Sequence, residues 1–160
     1  MQRGTILCVG KLKEKFYTEA AAEYSKRLSR HCRLELIELP EQRLPEDPSP
    51  AEIDAALERE AAAIREKLPK SGALVAMCVE GTLFSSQELA RRLMRFSLEG
   101  NSQITFLIGG SFGLHQSLKD RADLRLSMSP MTFPHHLARV MLLEQLYRGY
   151  QILEGSRYHK

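Results

Sequence analysis

Ile104-Thr105-Phe106-Leu107-Ile108-Gly109-Gly110-Ser111-Phe112-Gly113 is an apolar run that stops abruptly in a glycine-rich turn. A second run, Leu124-Arg125-Leu126-Ser127-Met128-Ser129, empties in the same way into Pro130-Met131-Thr132-Phe133-Pro134-His135. A long apolar-periodic segment, His136 to Leu153, follows directly. A strand that ends in a Gly- or Ser/Pro-rich turn presents backbone N–H and C=O groups at the carboxyl edge of a sheet, where open α/β sheets bind ligands. Two such turns so close in sequence, both followed by helical pattern, predict two walls of one pocket.

Working back toward the start, Ala73 to Val79 is a fully apolar run, as expected for a central strand covered on both faces. It ends at Glu80-Gly81-Thr82, which reads as another sheet-edge turn. Thr5 to Val9 is a short apolar strand, and Leu34 to Leu39 a partly alternating and less covered one. Tyr17, Ala21, Tyr24 and Leu28 recur at helical spacing. Ser49-Pro50 supplies an N-cap and first-turn proline for a helix over about Ala51 to Leu68. Ser85 and Glu88 have the spacing of a capping box, and Leu89, Leu93 and Phe96 share one face of the helix behind it. The order β-α-β-α-β-α-β-β-α implies a mostly parallel α/β sheet flanked by helices. Residues 1–160 read as a single domain with no internal linker.

Composition excludes several classes. Apolar residues make up 43% of the chain, and no run approaches the roughly 20 needed to cross a bilayer. The first ten residues read as a strand rather than a signal peptide. Cys8, Cys32 and Cys78 lack metal-ligand spacing and read as small buried thiols of a cytoplasmic protein. No metal cluster, paired carboxylates or Ser/His/Asp order stands out, and Gly109-Gly110 lacks the spacing of a dinucleotide fingerprint or a phosphate loop. The net charge of +3 is mild. Lys11, Lys13 and Lys15 form one basic cluster and Arg91, Arg92 and Arg95 another. They suit phosphate binding only if both flank the same pocket.

On a helical wheel, Val140, Leu142, Leu143, Leu146, Tyr147, Tyr150 and Leu153 fill one apolar arc of the last helix, with Glu144, Arg148 and Gln151 opposite. Leu137 and Met141 fall outside that arc, which predicts a second apolar surface such as another subunit. Arg139 falls inside it. A guanidinium there must be aimed at a ligand or held by a carboxylate such as Glu80 or Asp123, because burying it unpaired is prohibitive. The tail Arg157-Tyr158-His159-Lys160 either frays or contacts a nucleobase or phosphate. The physical reading reaches an α/β protein with a pocket near residues 77–82, 109–113 and 128–135.

The segments Leu107 to His115, Ser127 to His135 and Arg139 to Arg148, with the opening Val9-Gly10-Lys11-Leu12-Lys13 and the ending Tyr158-His159-Lys160, resemble a known signature. It is that of the large-subunit ribosomal RNA pseudouridine N3-methyltransferases of the SPOUT (α/β-knot) superfamily. The resemblance runs from Thr5 to Lys160. It implies a C-terminal trefoil knot, an exception to the rule that chains do not thread loops. It also implies S-adenosylmethionine (S-adenosyl-L-methionine) as cofactor, contacted by Met77, Gly109 and the loop Met128, Ser129, Pro130, Met131, Thr132 and Phe133. The implied substrate is large-subunit (23S) ribosomal RNA, expected on the assembled ribosome, and the implied assembly is a homodimer whose active site uses both subunits. Methylating a weakly acidic ring nitrogen asks for positioning and for a cation near the ring oxygens. Arg139 is the expected cation, with His135, Tyr158 and His159 on the substrate side. A non-catalytic ribosome-binding factor of the same fold, and a small-molecule enzyme using a nucleotide in the same cleft, are the alternatives at this stage.

Overall fold

The computed structural model describes residues 1–160. Its elements alternate along the chain: β1 (Gln2–Val9), α1 (Lys15–Leu28), β2 (Cys32–Leu39), α2 (Pro50–Lys67), β3 (Ala73–Leu83), α3 (Ser86–Leu98), β4 (Gln103–Ile108), α4 (Gln116–Arg121), β5 (Leu124–Ser127) and α5 (His135–Leu153). The five strands form one sheet in the order β2-β1-β4-β3-β5, and every pairing is parallel. All strand carboxyl ends therefore lie along one edge, with β4 and β3 at its centre.

Alternation along each strand sends side chains to two cores. Ile6, Cys8, Val75, Ile104, Phe106 and Ile108 face α1, α3 and α5, meeting Leu28, Leu93, Phe96, Leu142, Leu143 and Leu146. Leu7, Val9, Leu74, Ala76 and Leu107 face α2 and α4, meeting Ala61, Ile64 and Leu118. Each fully buried Leu or Ile contributes roughly 1.5–3 kcal/mol of gross transfer free energy. The three α5 leucines thus anchor the last helix to the sheet. Close approach of α5 to α3 depends on Gly149, where a Cβ would lie 3.0 Å from Leu93 Cδ1.

The capping box expected at Ser85 is present, and the N-cap expected at Ser49 forms a second one with Glu52. Ser49 and Glu52 exchange bonds of 3.1 and 3.2 Å at the start of α2, and Ser85 and Glu88 do the same at α3. Two features differ from expectation. The first is α4, a single short helix between β4 and β5, where the sequence pattern showed two strands in succession. Leu118 is its one buried residue, and His115 Nδ1 accepts the Ser117 N–H at 3.2 Å to cap it. The second is β3, which continues past Val79 to Leu83 through a bulge. Val75 to Met77 pair with Leu124 to Leu126, and pairing resumes only at Thr82. Gly81 permits this, since a Cβ there would lie 2.8 Å from the Arg125 backbone. Residues 78–81 are thus a bulge rather than the strand-end turn read from Glu80-Gly81-Thr82.

All three cysteines are free, with Cys8 and Cys32 buried and Cys78 partly covered. Burial pushes the Cys8 thiol up to about 12, against the opposing pull of Arg139. No helix is long and apolar enough to cross a membrane.

Candidate active site

A cavity of about 670 Å³ opens at the carboxyl edge of β4, β3 and β5. Five segments wall it: β3 with the start of its bulge (77–80), the end of β4 and the β4–α4 loop (108–114), Lys119 of α4, the end of β5 and the β5–α5 loop (126–134), and the first turn of α5. Its size falls within the usual range for a small-molecule site. Met77, Gly109, Met128, Ser129, Met131, Thr132, Phe133 and His135 all line it. Pro130 lies in the same loop but points to solvent.

Local hydrogen bonds shape both loops. Gly113 N–H donates to the Gly110 carbonyl at 3.0 Å, and Gly113 has a φ of +80°. This turn is so tight that a Cβ on Gly109 would lie 2.2 Å from the Gly113 carbonyl oxygen. The glycine is required by the turn itself, before any ligand is considered. Glu41, from the loop after β2, accepts the Ser111 N–H at 2.8 Å and pins the outer side of the turn. In the second loop, Ser127 Oγ donates to the Ser129 carbonyl at 3.0 Å, and Ser129 Oγ accepts the Met131 N–H at 3.0 Å.

Charge on the wall is sparse. Glu80 is its single carboxylate and Lys119 its single lysine, and the two form an ion pair. Lys119 lies on the short helix that sequence periodicity did not reveal, so this pair went unread. The Lys119 hydrogen bond holds the Glu80 carboxyl below the usual carboxylate range. At the β1 end of the wall stands His135, whose Nε2 lies 3.3 Å from where a Cβ on Gly10 would be. Burial, with the neighbouring His136 and Arg139, depresses its pKa and favours the neutral ring.

Arg139 is not on the wall. Only 2% of it is exposed. Its Nη1 donates to Glu38 Oε2 at 2.6 Å and its Nη2 to the Gly10 carbonyl at 2.9 Å, while Nε has no partner. Glu38 also accepts the Leu12 N–H at 2.9 Å. The guanidinium therefore ties α5 to the ends of β1 and β2, which corrects its expected place beside the substrate. The carboxylate is Glu38 rather than Glu80 or Asp123: Glu80 is taken by Lys119, and Asp123 accepts the Leu74 N–H at 2.8 Å. Burial raises the Glu38 carboxyl, but the Leu12 amide and Arg139 outweigh it and hold the group below its ordinary range.

Tyr158 and His159 also stand off this chain's cavity wall, yet the tail does not fray. Tyr158 Oη donates to Glu144 at 3.1 Å, and Arg148 Nη1 donates to His159 Nδ1 at 3.1 Å. Arg148 is bound to Glu144 at 2.6 Å and lies over the Tyr158 ring, 4.8 Å from its centroid. His159 Nε2 sits 2.9 Å from the Gln87 amide on α3. Arg148, which the wheel had set on the outer face, is thus the cation that the tail gathers around. The two basic clusters do not share the cavity, since none of their six residues lines it. Arg92 packs over Phe84 and Phe96, and Arg95 pairs with Glu99. No group of three or more His, Cys, Asp or Glu is placed to hold a metal ion.

A family described as "Predicted SPOUT methyltransferase" matches residues 2–159. The chain belongs to the SPOUT methyltransferase family. Full-length relatives agree. The chain is 48% identical over 158 residues to the ribosomal RNA large subunit methyltransferase H of Acetivibrio thermocellus, covering 99% of both chains. It is 45% identical over 156 residues to the protein of the same name from Clostridium kluyveri, covering 98% of both. Among solved structures, a probable methyltransferase from Bordetella pertussis Tohama I superposes with a TM-score of 0.59 at 14% identity. It covers 93% of this chain and 95% of its own. A putative methylase family protein from Neisseria gonorrhoeae gives 0.54 at 12% identity, over 91% and 82% of the two chains. At those identities the likeness speaks for the fold alone.

Proposed function

We propose that this SPOUT methyltransferase transfers a methyl group from S-adenosylmethionine to N3 of a pseudouridine in large-subunit ribosomal RNA. It does so in the cytoplasm, as a homodimer of one-domain chains of residues 1–160. The full-length likeness to ribosomal RNA large subunit methyltransferases H carries this reading. The same reading carries the trefoil knot of the superfamily for the C-terminal segment.

The cavity fits the cofactor chemically. Met77, Ile108, Leu114 and Leu126 offer apolar walls to an adenine ring, and the glycine turn brings backbone close without side chains between. One carboxylate faces a ligand that carries cations and hydroxyl groups. Met77, Gly109 and the loop 128–133 would hold it. When bound, S-adenosylmethionine supplies an electrophilic methyl group.

The chain's own residues do the rest. A uracil-type N3–H lies between two carbonyls, so its anion is the reactive form and donors near the ring oxygens stabilise it. Neutral His135 stands at the β1 end of the cavity and would accept a hydrogen bond from a substrate base brought there. Arg139 is committed to Glu38 and holds α5 in place under His135. The cation then comes from the Arg148–Tyr158–His159 cluster of the second subunit, which lies away from its own cavity. Exposed apolar side chains at the cavity mouth, Val79, Phe112 and Met131, suit burial against that subunit.

Transfer of a labelled methyl group from S-adenosylmethionine to purified large-subunit RNA and to whole ribosomes tests this directly. Label in RNA supports the reading, and ribosome binding without label refutes it in favour of a non-catalytic factor.

A further inference from the structure

The β3 bulge turns one acidic side chain into the cavity at the β3–β5 side, opposite His135. Bulges interrupt a ladder and re-aim side chains, often beside active sites. Glu80 is half open, while its partner Lys119 is largely covered, with side-chain exposures of 55% and 15%. Lys119 engages Oε1, and its own backbone carbonyl is fixed by Arg125 Nε at 3.0 Å. The carboxylate is therefore ionised, oriented from behind and accessible in front. An ordinary surface ion pair is solvated on all sides and worth little; this one is built into the wall of a cavity.

We propose that Glu80, steadied by Lys119, accepts hydrogen bonds from the ribose hydroxyl pair of the nucleoside cofactor. The proposal rests on the S-adenosylmethionine reading above and names the residue that recognises its sugar. Two parts of that cofactor could seek the only carboxylate on the wall: the vicinal hydroxyls and the ammonium of the amino-acid end. Lys119 decides between them. An ammonium against Glu80 would bring a second cation beside the Lys119 ammonium and meet its repulsion, whereas neutral hydroxyl donors meet none. Acidic side chains at the carboxyl edge of parallel sheets accept hydrogen bonds from ribose hydroxyls elsewhere in α/β proteins.

Calorimetry with S-adenosylhomocysteine and 5′-methylthioadenosine, which lacks the amino-acid end, tests the assignment without turnover. Glu80→Gln is expected to weaken both ligands by a similar factor of about 10 or more, the range of a charge-assisted hydrogen bond. Wild-type protein should lose about the same factor when 2′-deoxy-5′-methylthioadenosine replaces 5′-methylthioadenosine, a measurement independent of how the variant folds. Glu80→Gln should not discriminate between those two nucleosides. If Glu80→Gln weakens S-adenosylhomocysteine but leaves 5′-methylthioadenosine unchanged, Glu80 reads the amino-acid end and the proposal is overturned. Unchanged affinity for both ligands overturns it too, while leaving the cofactor reading intact. Wild-type protein that binds neither ligand overturns the cofactor reading itself, and this assignment with it.

Discussion

Arg139→Ala removes the buried guanidinium that joins α5 to β1 and β2, together with its bonds of 2.6 Å to Glu38 and 2.9 Å to the Gly10 carbonyl. Breaking a fully buried ion pair costs roughly 3–5 kcal/mol. The Glu38 side chain is 37% exposed, so water can resolvate part of the orphaned carboxylate. The expected loss is therefore about 2–4 kcal/mol, scaled down for that solvent access. At about 2–4 °C per kcal/mol for a chain of this size, Tm falls by roughly 4–16 °C. Thermal unfolding followed by circular dichroism at neutral pH measures this, with turnover recorded on the same preparation. The pH dependence carries a sign. The folded-state Glu38 carboxyl is held below its ordinary value, so its stabilisation is complete above the unfolded value of about 4.3 and is lost as pH falls through the folded value. Wild type and variant should converge in acid. An Arg139→Ala protein with wild-type Tm at neutral pH and turnover reduced on the order of 10²–10³ would refute the structural role and return Arg139 to the chemistry.

Three further outcomes are expected. Gly109→Ala places a Cβ 2.2 Å from backbone and should lower Tm and abolish cofactor binding, whereas Gly110→Ala meets the movable Glu41 carboxylate at 2.5 Å and Val9 Cγ1 at 3.2 Å and should have the smaller effect; equal effects in thermal melts and calorimetry would contradict this. His135 has a depressed folded-state pKa, so the unfolded chain binds more protons, and stability should fall as pH drops from about 6.5. His135→Gln should flatten that part of a denaturation-versus-pH curve. Light scattering at micromolar concentration should give a dimer mass, and mixing a Gly109→Ala chain with a tail-truncated chain lacking residues 157–160 should restore methyl transfer through one composite site; a monomer, or no restoration on mixing, would count against a site shared between subunits.

The strands that end at the cavity were legible because their apolar runs stop in Gly109-Gly110 and Ser129-Pro130, a contrast that local sequence displays. The capping box at Ser85 and the N-cap with first-turn proline at Ser49-Pro50 were legible for the same reason. What escaped was either too short or too distant. Six residues with one buried side chain, Leu118, cannot display a helical period, so α4 and the Lys119 it carries were missed. Glu80-Gly81-Thr82 has turn chemistry whether it ends a strand or bulges within one, and only the pairing of Thr82 with Leu126 distinguishes the two. The wheel placed Arg139 in the core correctly, but Glu38 is 101 residues away on β2, and sequence spacing says nothing of that partner. Docking of Tyr158 and His159 on Arg148 and Glu144 depends likewise on the chain turning back after Gly155, whose φ is +71°.

The most direct measurement is mass spectrometry of nucleosides from large-subunit RNA after incubation of ribosomes with the purified protein and S-adenosylmethionine. The account predicts a gain of one methyl group on pseudouridine, placed at N3 by fragmentation and absent when the cofactor is omitted. A methyl group on another nucleoside or at another atom, or none at all with a protein that binds the cofactor, would contradict it.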